Sequence, residues 1–182
     1  MAESRRRAPR TKAATGRRNP KGMTAEEYAA QVKSELQDTW LPHIYRDRIL
    51  SKRTRSYRFE GLTNKTLVET HHTLLGVELK VGRRRLLCPD LATARYLSIF
   101  ARAGCEQLAV PYDITRISQL ADELESSWHR MFLLVEHYAA GESERLKTRI
   151  GRTLVSKIRD EVASLGAGTS VPEFKQSTKQ RS

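Results

Sequence analysis

Between residues 77 and 90 the chain reads VELKVGRRRLLCPD, which sets two kinds of chemistry side by side. Glu78 and Lys80 stand two apart in an alternating run. On a strand their carboxylate and ammonium project from one face, while Val77, Leu79 and Val81 share the other. Gly82 marks a turn, and Arg83, Arg84 and Arg85 follow it. Three adjacent guanidinium groups can grip a phosphate backbone or sit solvated in a loop. A two-residue loop at Gly82 and Arg83 sets Leu79 opposite Leu86 and Lys80 opposite Arg85; a four-residue loop sets Val81 opposite Leu86. Both registers keep Leu86 and Cys88 on the apolar face, and both crowd positive charge that an anion would relieve.

Arginine and lysine recur in three further clusters. The segment YRDRILSKRTRSYRF interleaves Arg46, Arg48, Lys52, Arg53, Arg55 and Arg58 with Tyr45, Tyr57 and Phe59, a mixture able to hold phosphates and stack bases. On a helix, Arg145, Arg149, Arg152 and Arg159 fall along one face. Near the N-terminus Arg5, Arg6, Arg7, Arg10, Arg17 and Arg18 are spaced by Pro, Gly, Ala and Thr, as in extended arms that lie along nucleic-acid backbones. Two other constellations are weaker. His71 and His72 are adjacent, so on a strand they point to opposite faces. Glu125, His129 and Glu136 align on the polar side of a helix in a set that would suit zinc only with further groups to orient them. The sequence contains no glycine-rich phosphate loop, no nucleophile elbow and no Cys-x-x-C pair.

The elements that must position these residues follow from periodicity. Thr24 and Glu27 have capping-box spacing, and Tyr28, Val32, Leu36 and Trp40 form one stripe, which predicts a helix over 24–40 ended by Leu41-Pro42. Tyr57 and Phe59 alternate with Arg58 and Glu60 as in a short strand, and residues 66–90 read as extended structure with a hairpin at Gly82. Asp90 caps a helix running through Ala103, with Ala92, Tyr96, Ile99, Phe100 and Ala103 buried and Gly104 as its stop. The segment from Cys105 to Pro111 is a strand. Ile114, Ile117, Ala121, Leu124, Trp128, Met131, Val135 and Tyr138 mark a long amphipathic helix. Gly141 separates it from a last helix, 142–165. The expected fold is α/β (or α+β): a small mixed sheet of three or four strands covered by helices, with a long C-terminal helical hairpin over 114–165. The stripe on helix 114–138 could pack on that hairpin partner, on a twin in a homodimer, or on a partner protein.

An acid-x-Lys pair on the strand before a helix, as in Glu78-Leu79-Lys80, resembles the PD-(D/E)xK nuclease family. The order helix, strands, helix, strand over residues 24–112 is similar to that family's core. The resemblance implies two carboxylates holding a magnesium ion and a lysine acting on the attacking water. Carried onto this chain, Glu78 is one ligand, Glu69 the other, Lys80 the activating residue and Glu35 an auxiliary acid. Position 69 holds Glu where the family has Asp, and Pro89-Asp90 follows the ELK instead of preceding it.

Charge distribution bounds the partners. The chain of 182 residues has a formal net charge of +12, and residues 1–58 hold fifteen Lys or Arg against six Asp or Glu. Residues 105–140 run the other way, with six acids against two bases. One end therefore attracts polyanions. Residues 1–22 and 167–182 lack the apolar content to offset the entropy of ordering and read as disordered tails around one domain, 23–166. No apolar run reaches a bilayer-spanning length and no signal-peptide core opens the chain, and Cys88 and Cys105 read as isolated buried thiols, so a cytoplasmic location is expected. The reading that gathers most of these features is a non-catalytic protein that binds nucleic acid or a ribonucleoprotein surface and needs no cofactor. A magnesium-dependent nuclease and an adaptor for an acidic protein are the alternatives.

Overall fold

A computed structural model of the protein describes residues 22–60, Leu62 and residues 67–168. Most of both tails read from the sequence, including Arg5, Arg6, Arg7, Arg10, Arg17 and Arg18, lies outside the described residues. Helix α1 (Ala25–Leu36) opens on the expected capping box: the Thr24 hydroxyl accepts from Glu27 N, and the Glu27 carboxylate accepts from Thr24 N. It ends short of Trp40, because Gln37 turns with a φ of 45°. Leu41-Pro42 then opens the next helix where the sequence suggested a stop. Pro42 sits in the first turn of α2 (Leu41–Ile44), where its missing N–H has no intrahelical partner to lose. A π-helical segment, Tyr45–Leu50, continues it.

Strand β1 (Thr54–Arg58) pairs antiparallel with β5 (Gln107–Pro111). Strands β2 (Val68–Thr73), β3 (Gly76–Val81) and β4 (Arg84–Cys88) form an antiparallel meander. The α/β class and the long C-terminal helix pair are as expected, but the strands divide into a two-stranded and a three-stranded sheet instead of one mixed sheet. Tyrosines help to bound the smaller one. Ala109, at the centre of β5, donates its N–H to the Tyr45 hydroxyl at 2.8 Å, and its carbonyl accepts the Tyr96 hydroxyl at 2.6 Å. Those bonds occupy the backbone groups that a further strand would need.

Helix α3 (Leu91–Ala103) lies beneath the meander, capped by Asp90, whose carboxylate accepts from Thr93 N at 2.6 Å, and stopped by Gly104 in the left-handed conformation. Leu79 and Cys88 are buried on that inner face. Helices α4 (Ile117–Tyr138) and α5 (Glu144–Leu165) both pack on α1, and α4 also on α3. Ile117, Ala121, Leu124, Met131 and Val135 enter the common core, with Trp128 half-buried at its margin. Arg95 of α3 bridges Asp122 and Glu125 of α4 at 2.7 and 2.5 Å. Glu161 of α5 takes Lys33 at 2.5 Å and the Trp40 indole N–H at 2.8 Å, tying α5 to the end of α1. Among the described residues, no helix is long and apolar enough to cross a membrane.

Candidate nucleic-acid interface

The β3–β4 turn selects the two-residue register: Leu79 pairs with Leu86, and Lys80 faces Arg85. Gly82, at φ 62°, takes the first central position, and Arg83 follows without a positive φ, the pattern of a tight hairpin turn that matches strand twist. Lys80 and Arg85, two cations side by side, each turn to a carboxylate on the same outer face. Lys80 Nζ donates to Glu69 Oε2 at 2.8 Å, and Arg85 Nη1 lies 3.5 Å from Glu78 Oε2. His71 Nε2 also approaches Glu69, at 3.3 Å. The hydrogen bonds from Lys80 and then His71 hold the Glu69 carboxyl below its ordinary range.

Edge strands β1 and β4 flank a groove of about 270 Å³. Tyr57, Arg58, Phe59 and Glu60 form one wall, and Arg84 and Arg85 the other. Tyr57 stacks edge-on against Phe59, with ring centroids 5.1 Å apart. Phe59 is buried, so its ring supports Tyr57 while Tyr57 reaches the groove. Arg84 pairs with Glu60 across the gap. Glu60 answers Arg84 and Glu78 answers Arg85, so the three guanidinium groups leave one net positive charge at the groove. Arg83 at the turn and Arg55, two residues before Tyr57 on the same face of β1, extend its electropositive character. The groove thus joins two basic clusters that are well separated in sequence.

The remaining cations fall elsewhere. Arg46 forms a two-bond pair with Asp47, and Arg48 binds Glu123 at 2.6 Å. Arg53 lies over the Tyr112 ring, 5.2 Å from its centroid, and Lys52 is exposed beside it. Tyr45, expected among the base-stacking aromatics, is instead buried, with its hydroxyl on Ala109 and Gly166. Arg145, Arg149 and Arg152 are exposed on α5. From Arg145 to Arg159 the helix advances about 21 Å, and only the Arg159 end approaches β5, so these arginines are a separate surface from the groove.

Glu69, Glu78 and Lys80 do share one face, since Glu69 is opposite Lys80 and His71 opposite Glu78. Each carboxylate is engaged by basic side chains, however: Glu69 by Lys80 and by the His71 imidazole, Glu78 by Arg85. Glu35 is exposed on α1, which packs on α4 and α5 and does not join them. One or two carboxylates, completed by water and phosphate oxygens, can hold a magnesium ion, but here it would have to displace the basic partners of Glu69 and Glu78. Among the described residues, no three His, Cys, Asp or Glu side chains group so as to hold a metal. Glu125 and Glu136, aligned with His129 in the sequence, bind Arg95 and Lys147 instead. Glu60 is the groove residue that sequence reasoning missed; its role depends on a partner 24 positions away, and nothing local marks it.

Comparison with protein-family models, with curated proteins and with solved structures finds no match to this chain.

Proposed function

We propose that this protein binds nucleic acid, alone or within a ribonucleoprotein, through the groove between β1 and β4, and does so without catalysing a reaction on it. The observation that carries this reading is the meeting of Arg58, Arg84 and Arg85 beside the half-buried Tyr57 ring. Guanidinium groups can take phosphate oxygens in paired hydrogen bonds, and an aromatic face accepts a base without regard to its identity. Such a site favours the backbone over sequence. The net charge of +12 supplies long-range attraction.

The test is the salt dependence of binding to labelled single- and double-stranded DNA and RNA. On duplex DNA, affinity is expected to fall by about 0.9 log units per log unit of salt for each phosphate neutralised. Replacing Arg83, Arg84 and Arg85 together by Ala should weaken binding at least tenfold and flatten that slope, with the circular dichroism spectrum unchanged. Negligible affinity for all four ligands near physiological salt would remove this reading. The clustering of Glu69, Glu78 and Lys80 on one face favours the nuclease as a second reading. Mg²⁺-dependent cleavage that disappears in both Glu78→Ala and Lys80→Ala would establish it. Recovery of one specific protein after nuclease digestion would point instead to an acidic partner.

A further inference from the structure

Among the described residues β2 is the outermost strand of the meander, and the phase of its hydrogen bonds identifies the edge that no described strand pairs. Gly82 N donates to Leu67 O at 2.8 Å. Because backbone groups alternate in direction along a strand, those of Glu69, His71 and Thr73 turn to β3, and those of Val68, Thr70 and His72 turn outward. Exposed edges are ordinarily blunted by lysine, proline or a bulge. The stretch Val68–Thr73 contains no lysine or proline, and it keeps an unbroken register with β3. Leucines stand exposed at both of its ends: Leu67 at 60%, and Leu74 and Leu75 at the turn at 108% and 82%.

We propose that β2 pairs antiparallel with β2 of a second copy of this chain about a twofold axis at Thr70, joining the two three-stranded meanders into one continuous sheet. Symmetry and charge choose the register. To keep the two outer faces continuous, the axis must pass through a residue of β2, so that opposed residues belong to the same face. An axis at Glu69 sets that carboxylate against its own copy, and an axis at His71 sets the imidazole against its own copy. An axis at Thr70 places Glu69 opposite His71 of the second copy, twice by symmetry, at the closely spaced position between hydrogen-bonded pairs. Val68 and His72 then exchange backbone bonds across the interface, and Thr70 bonds its own copy. The same register brings Leu67 of each chain beside the Leu74–Leu75 turn of the other, covering both exposed ends. The outer edge of β4 is the poorer choice, because self-pairing there would set Arg84 and Arg85 close to their own copies.

Sedimentation equilibrium of the full chain, without nucleic acid, over a wide micromolar range should show a reversible dimer. Thr70→Pro removes a donor that faces outward and leaves the β2–β3 ladder its bonds, so it should give a folded monomer. A variant set that does not depend on tolerance of proline uses cysteine. Glu69→Cys and His71→Cys proteins, prepared separately and mixed under mild oxidation, should form a linked heterodimer that neither forms alone; the native Cys88 and Cys105 are buried and do not compete. A monomer at every concentration together with no linkage in the mixture would overturn the proposal. So would a dimer that folded Thr70→Pro leaves intact, or linkage of Glu69→Cys or His71→Cys to itself as efficient as in the mixture.

Discussion

The Tyr45 hydroxyl makes two backbone contacts at once: it accepts from the buried Ala109 N and donates to the carbonyl of the exposed Gly166 at 2.7 Å. Tyr45→Phe keeps the ring and strands the buried Ala109 N–H, which should cost about 1–3 kcal/mol, read as a lower denaturant midpoint. The same burial sets a pH dependence. Desolvation pushes the Tyr45 phenol from its ordinary 10.0 up to about 12, and raises Tyr96 as well. Between about pH 10 and 12 the unfolded chain releases phenolic protons that the folded chain retains. This contribution is therefore fully present below pH 10 and is lost as pH rises through the folded value. Denaturant melts across that window should show falling stability, with a shallower fall in Tyr45→Phe.

At the scale of elements, the groove depends on how β4 passes into α3. Cys88, at the end of β4, is buried, and Asp90 two residues later caps α3. The β-strand and the helix are thereby held in fixed relation, and the arginines at the other end of β4 are aimed from a rigid base. Asp90→Ala should cost about 1 kcal/mol by leaving Thr93 N without its cap. If the groove binds nucleic acid as proposed, this change should weaken binding less than loss of Arg83, Arg84 and Arg85, because the groove's own cations remain. A fall in thermal midpoint with the salt slope retained is the expected pair of readings. The face shared by Leu79, Leu86 and Cys88 was legible in the sequence, although the choice between the two-residue and four-residue loops came only with the structure. The start of α2 was not: Pro42 could equally end one helix or open another, and the positive φ at Gln37 decided between them.

For the whole molecule, the question is whether two small sheets and the helices around them unfold together. Cys88 belongs to the three-stranded sheet, and Cys105 lies two residues before β5 of the two-stranded one. Both are buried in a single core shared with α1, α3, α4 and α5. Burial raises the Cys88 thiol and pushes that of Cys105 up to about 12. Neither should react with an aromatic disulfide reagent near neutral pH in the native state, since the thiolate is the reactive form. Both should become reactive in the same denaturant transition. Separate transitions for the two thiols would show that the sheets unfold as independent units.

Local and periodic features were determined by the sequence alone. The Thr24–Glu27 box, the Asp90 cap, the Gly104 stop and the stripes of α3, α4 and α5 depend on neighbours within a turn or two, where chain connectivity brings the groups together. Its imbalance of charge likewise needs no fold to be read. The tertiary structure decided which charges meet. It placed Arg58 of β1 beside Arg84 and Arg85 of β4, set Glu60 against Arg84, and left the Arg145, Arg149 and Arg152 surface apart. It also turned the aligned Glu69, Glu78 and Lys80 into ion-paired groups on one face. The physical reason is that a charged side chain carries no periodic signature of its partner: its pairing is set by how separate strands and helices pack around the buried apolar core.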